Sequence, residues 1–250
     1  TDVNTATKAG VVIMGGSTDV DAAFKWMLER SGGGDVVVIR STGTNAYNTY
    51  INSLGKAHSV ETLKIDSRAI ANDPKVAHII RNAELLFIAG GDQSDYVNYW
   101  KGTKVMDAIN YLLVNKKVPV GVTSAGAAIL GNYYFGALQG GVEASEALSN
   151  PYNPKISLSK DDFLKVPYLQ NIITDQHFSQ RSREGRIGIF LGRMLMDWSI
   201  AANAIAVDEK TAVCIDEHGI ATVVGDNKAY FLTTAITRKP EIFSAGSTVT

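Results

Sequence analysis

The chain has 250 residues, a formal net charge of −1, 45% hydrophobic residues and one cysteine. That length supports a sizeable core, and α/β folds reach it as one domain, so a single domain over residues 1–250 is expected. Near-neutral charge argues against nucleic acid as the main partner, because phosphate binding needs a basic surface. Cys214 has no second cysteine to pair with, and its run Thr211-Ala212-Val213-Cys214-Ile215 reads as a buried strand. No apolar stretch reaches transmembrane length, so no membrane partner is expected. The chain starts at Thr1 without a signal peptide. The compartment therefore stays open between the cytoplasm and secretion after signal-peptide removal.

In chain order, residues 8–16 read as a strand ending in Gly15-Gly16, with Thr18 or Asp19 able to cap the next helix. Val20, Phe24, Met27 and Leu28 lie on one face of that helix, and Ser31-Gly32-Gly33-Gly34 ends it. Residues 35–40 form a second buried strand, followed by a polar loop from 42 and a helix through Leu54. A strand at 60–65 and a helix at 74–83 come next. The apolar run 85–89 is a fourth strand that leads into Gly90-Gly91-Asp92-Gln93. Val105, Ile109, Leu112 and Leu113 define a further amphipathic helix. Strands alternating with helices imply a mostly parallel sheet covered on both faces, with sites at the C-terminal strand ends. Residues 132–155 read as loop. After a short strand ending at Asp175-Gln176-His177, Ser179 can cap a helix with a wide apolar face from Ile187 to Trp198. From Ile200 onward, four strand-like runs predict antiparallel strands at the sheet edge or in a small second sheet.

The stretch that carries chemistry is Val118-Pro119-Val120-Gly121-Val122-Thr123-Ser124-Ala125-Gly126-Ala127. An apolar run turns through small residues into a helix start, which would hold the Ser124 hydroxyl out into a cleft beside backbone N–H groups. Val122 stands where the nucleophile-elbow pattern has glycine. A serine nucleophile needs a base and a group to orient it. His58, His78 and His218 read as surface or partly packed residues, whereas His177 lies at a strand end like Ser124. The orienting acid is open among Glu143, Glu146 and Asp175, and in a strand Asp175 would share a face with His177. The N–H groups of Ala125 and Gly91 are candidates for an oxyanion hole. Arg181, Arg183 and Arg186 follow His177, and arginines in a first helical turn oppose the macrodipole, which suggests a role in gripping carboxylates. No dinucleotide, P-loop or metal-ligand spacing occurs, so no cofactor and no metal are expected.

Three segments together resemble one serine peptidase family, that of the cyanophycinases and aspartyl dipeptidases. They are Phe87-Ile88-Ala89-Gly90-Gly91-Asp92-Gln93-Ser94-Asp95-Tyr96, Thr123-Ser124-Ala125-Gly126-Ala127, and the twelve residues from Asp175 to Arg186. Their order and spacing fit the family from about residue 8 to 198. The resemblance implies an α/β three-layer sandwich with a mostly parallel central sheet, similar to class I glutamine amidotransferases, with antiparallel strands at the C-terminus. It implies Ser124 as nucleophile, His177 as base and a glutamate between them as triad acid: Glu143, with Glu146 as the alternative. It assigns Gln93, Asp175, Gln176, Arg181, Arg183 and Arg186 to substrate binding, and it implies a homodimer. The substrate it implies is a peptide or polymer bearing arginine and aspartate, such as multi-L-arginyl-poly-L-aspartate cleaved to β-Asp-Arg dipeptides. Asp92, Asp95 and Asp175 would then face guanidinium groups. Two other readings stay open: a different serine hydrolase (an aspartyl or isoaspartyl dipeptidase, or an esterase) and an inactive binding homologue.

Overall fold

A computed structural model describes residues 3–235 and 240–249. The strands are β1 (Gly10–Met14), β2 (Asp35–Arg40), β3 (Ser59–Lys64), β4 (Leu85–Ile88), β5 (Pro119–Thr123), β6 (Tyr133–Phe135), β7 (Leu158–Lys160), β8 (Ile172–Gln176), β9 (Asn203–Val207), β10 (Thr211–Asp216), β11 (Ala221–Gly225) and β12 (Ala229–Thr233). They form a seven-stranded sheet in the order β11-β10-β1-β5-β4-β2-β3 and a five-stranded sheet in the order β12-β9-β8-β6-β7. The fold is α/β, and the first sheet is mostly parallel: β1, β5, β4, β2 and β3 run together, and β10 and β11 close its edge antiparallel. The C-terminal runs thus divide, with β10 and β11 at the edge of the main sheet and β9 and β12 in the second.

Period-two burial explains why the main sheet is covered on both faces. Val11, Ile13, Val37, Ile39, Leu86, Ile88, Val120 and Val122 join one core with α3 (Arg68–Ala71), α4 (Pro74–Asn82), α5 (Gln93–Trp100) and α6 (Lys104–Tyr111). Their neighbours Val12, Met14, Val36, Val38, Leu85 and Phe87 join another with α1 (Asp21–Arg30) and α2 (Ala46–Leu54). Gly121 marks the closest approach, since a Cβ there would lie 2.4 Å from Met27 Sδ. Replacing a residue such as Phe87, fully buried in this packing, by alanine would cost about 3–5 kcal/mol.

Several elements differ from what the local sequence pattern suggests. Helix α1 begins at Asp21 with Val20 at its N-cap, so neither Thr18 nor Asp19 caps it; Asp19 instead accepts the Tyr47 hydroxyl at 2.6 Å. Helix α6 runs on into a π-helical turn, Leu112–Lys116, that ends on left-handed Lys117. The segment 132–155 is not all loop, for it holds β6 and the short α8 (Ala144–Ser149). Ser179 opens a 3₁₀ turn, and the long helix α9 starts only at Glu184. The apolar face of α9 (Ile187, Phe190, Leu191, Met194) packs with Tyr133, Phe135, Ile173, Ala204 and Ala206 of the second sheet.

Candidate active site

All five parallel strands end at one edge, and the residues of interest gather there. Ser124 leaves β5 with φ 51° and ψ −116°, a conformation that side chains other than glycine's strain to adopt. Its N–H donates to Met14 O at 3.2 Å, and its carbonyl accepts from Ala127 N at 2.9 Å, so the turn is clamped on both sides. Helix α7 (Ala125–Ala128) follows at once, with the Ala125 N–H at its first position, where no intrahelical acceptor exists. Gly126 is needed because a Cβ would meet Ile88 O at 2.7 Å. Gly90, at the end of β4, lies against the nucleophile: a Cβ on it would be 3.2 Å from Ser124 Cβ. Gly91 is exposed one residue further on.

The second sheet supplies the base. Strand β8 stops at Gln176, and His177 turns out with φ 47°, its N–H bonded to Gly15 O at 2.9 Å. The ring is almost fully buried and makes two contacts: Nε2 to Ser124 Oγ at 2.7 Å and Nδ1 to Glu209 Oε1 at 2.7 Å. With a carboxylate at Nδ1, the proton sits on Nδ1 and leaves Nε2 free to accept from the serine. Burial favours the neutral imidazole and lowers the His177 pKa; the Glu209 hydrogen bond opposes that, and Arg181 and Arg183 add to the lowering. The hydrogen bond from His177 in turn holds the Glu209 carboxyl below its ordinary range.

Glu209 stands on the turn 208–210 that carries the chain from β9 into β10, hence from one sheet to the other. The turn is pinned by Lys210 N to Gly16 O at 3.1 Å, Glu209 N to Gln180 Oε1 at 2.9 Å and Ser179 N to Asp208 Oδ1 at 2.8 Å. The glycines at the end of β1 fit this assembly: a Cβ on Gly15 would lie 1.9 Å from Asp208 O, and one on Gly16 2.4 Å from His177 Cε1.

Neither glutamate expected beside His177 is there. Glu143 is the exposed N-cap of α8, where its N–H donates to Glu146 Oε2 at 3.0 Å. The other Glu146 oxygen pairs with Lys155 Nζ at 2.6 Å. Their contact with each other is the capping box of α8. Glu209 lies after both serine and histidine in the chain, outside the order that the resemblance implies. Its signal was an Asp-Glu pair in a turn between two apolar strands, at the strand edge that also holds His177.

The expected substrate-binding residues divide. Asp175 does not share a face with His177, because the positive φ at 177 breaks the alternation. Its carboxylate is buried and gripped by Arg186 through Nε at 2.9 Å and through Nη2. Arg186 is 3% exposed, and its guanidinium lies over Phe135 and Phe190. Asp175 and Arg186 therefore satisfy each other inside the protein. Arg183 is half-buried, donates to Gln176 O at 2.7 Å and stands 3.5 Å from Asp175, while Arg181 is exposed. Gln176 is buried, and its Oε1 has no partner among the described residues. Gln93 opens α5 half-buried. Asp92 caps that helix, accepting Ser94 N at 2.8 Å, and so is engaged locally. Among the described residues no group of histidine, cysteine and carboxylate side chains could hold a metal ion.

The family described as Peptidase family S51 matches residues 11–223. Proteins named cyanophycinase from Geminocystis herdmanii and Trichormus variabilis are each 24% identical to this chain, over 72% and 88% of it. The chain spans 66% of the first and 72% of the second. Among solved structures, a peptidase from an acI-B1 actinobacterium superposes with a TM-score of 0.61 at 15% identity over 91% of each chain. A putative peptidase E from Listeria monocytogenes superposes with a TM-score of 0.55 at 15% identity, covering 88% of this chain and all of that one.

Proposed function

Since the chain belongs to peptidase family S51 and is a hydrolase of peptide bonds, we propose that it works through an acyl-enzyme on Ser124, with His177 as base and Glu209 as the orienting acid. The observation that carries this reading is the continuous relay of two 2.7 Å contacts from Ser124 Oγ through the imidazole to Glu209. The Ser124 oxygen attacks the scissile carbonyl and its proton passes to His177 Nε2. Glu209 stabilises the imidazolium and keeps the ring oriented. The N–H groups of Gly91 and Ala125 receive the oxyanion. The imidazolium then protonates the leaving amine, and water, deprotonated by the same ring, releases the acyl group.

The substrate we propose is an arginyl-poly-aspartate of the cyanophycin type, cleaved to β-Asp-Arg dipeptides. Arg181 and Arg183 beside the base support it by offering cationic donors to substrate carboxylates, as do the two relatives named cyanophycinase. The test is a fluorophosphonate label followed by a substrate panel. Ser124 should be labelled, and Ser124→Ala should lose kcat by on the order of 10⁴ to 10⁶ while keeping its fold. Within the panel, arginyl-poly-aspartate should be turned over in preference to Asp-X and β-Asp-X dipeptides. Preference for the dipeptides would make it a dipeptidase, and activity within tenfold of the parent in Ser124→Ala would remove Ser124 from the mechanism.

A further inference from the structure

Tyr96 has no part in the chemistry above, yet its hydroxyl is aimed at the loop beside Ser124. The residue is fully buried on α5, and its ring stacks on Trp100 with centroids 4.3 Å apart and planes 11° apart. Trp100 is itself anchored, donating its indole N–H to Ile65 O at 2.9 Å. From this fixed platform Tyr96 Oη donates to Ala89 O at 2.7 Å. The Ala89 N–H is already bonded to Ile39 O at 3.1 Å, so Ala89 is held on both sides. Gly90 and Gly91 follow. A Cβ on Gly91 would lie 2.7 Å from Tyr96 Oη and 3.5 Å from the buried Ser41 Oγ, so the same phenol that grips Ala89 also backs the Gly91 α-carbon. Burial pushes the phenol pKa well above its ordinary value, which keeps it a donor throughout the working range.

We propose that Tyr96 is a positioning residue for the oxyanion hole: by fixing the Ala89 carbonyl and bracing Gly91, it holds the Gly91 N–H toward the Ser124 turn. The proposal rests on the acyl-transfer reading of Ser124. Two glycines in succession have wide conformational freedom, whereas an oxyanion donor contributes through being preorganised before charge develops. The Tyr96 hydroxyl removes that freedom from behind, without touching substrate.

The test is Tyr96→Phe, which keeps the ring and deletes the contact. Two readouts are needed: the second-order rate of fluorophosphonate labelling at Ser124, and kcat and KM on an arginyl-aspartate peptide. Loss of one oxyanion donor outright costs about 10² to 10³ in kcat, so a loosened one should cost about tenfold. Labelling should slow in parallel, while KM stays within twofold and the pH midpoint of the base limb does not move. A folded Tyr96→Phe that labels and turns over like the parent would overturn the proposal, as would a loss seen wholly in KM. If Tyr96→Phe fails to fold, Gly91→Ala decides: its new methyl group must displace Gly91 from the phenol, and it should reproduce the fall in kcat; parental kcat there would also overturn the proposal. A parent enzyme that takes no label at Ser124 would overturn the acyl-transfer reading itself, and is seen before any variant is made.

Discussion

Ser124 rides on a strand whose five residues are all buried, whereas Glu209 stands on a turn between the two sheets with a quarter of its side chain exposed. The seven-stranded sheet holds its site residue by packing: β5 is flanked by β1 and β4 and covered on both faces. The five-stranded sheet has a smaller core and holds its contribution by polar ties, those of His177 to Gly15, of Asp175 to Arg186 and of the 208–210 turn to Gly16, Ser179 and Gln180. The nucleophile is thus set by strand packing together with the backbone clamp at its turn, and the base and acid chiefly by polar ties. That difference predicts where substitution damages the chemistry and where it damages the fold.

The largest contrast is between glutamates. Glu209→Gln should lower kcat by about 10⁴, as loss of the orienting acid does in a serine triad, with little change in stability. Glu143→Gln, whose side chain is exposed on α8, should stay within twofold of the parent. Steady-state kinetics on both variants would reverse the assignment if their ranks exchanged. The opposite pattern is expected at Asp175→Asn. It leaves the buried Arg186 guanidinium without its counter-charge, and breaking such a pair costs about 3–5 kcal/mol, measurable by denaturant unfolding. Unchanged stability would mean that Asp175 faces substrate instead.

A smaller effect is predicted at the seam between the sheets. The added methyl of Gly16→Ala would sit 2.4 Å from the His177 ring, so the imidazole must shift, and a displacement of that order costs about 10² in rate. Parental kcat would show that the ring has room to move. The smallest effect is in pH. Because burial lowers the His177 pKa from the ordinary 6.5, the acid limb of kcat/KM should have its midpoint below that value. Glu209 acts in the raising direction, so Glu209→Gln should carry the residual limb to still lower pH. The stability linkage has the matching sign: the unfolded chain takes up the proton first as pH falls, so the His177 contribution is present above 6.5 and is lost as pH drops through the folded value. A limb that moved up in Glu209→Gln would contradict the assignment of that carboxylate.

The same contrast governs what the sequence makes legible. Strands β1, β2, β4 and β5 have near-continuous apolar runs with glycine or serine just beyond them, because a parallel strand covered on both faces is apolar along most of its length. Ser124 and His177 could be picked out since each interrupts such a run at its polar end. In the second sheet β6 and β7 are three residues long, too short for a period to emerge, and β6 and α8 lie in a stretch rich in glycine, asparagine and proline that reads as loop. Arg186, expected to grip a substrate carboxylate, grips that of Asp175 instead, and only this partner eleven residues earlier makes its burial possible. Glu209 meets His177 across 32 residues, a contact that no local pattern encodes.

The left-handed backbone at Ser124 has a further consequence, for persistence rather than rate. A residue held at φ 51° and ψ −116° stores on the order of 1–3 kcal/mol that the surrounding packing must offset. Glycine adopts such angles freely, so Ser124→Gly should melt at a higher temperature than the active protein, read by thermal unfolding of the two side by side, although its greater unfolded-state freedom reduces the gain. The native sequence would then be one that gives up durability at a single position to keep an oxygen where a carbonyl can meet it. A lineage that stopped needing the reaction could gain stability by losing that serine first.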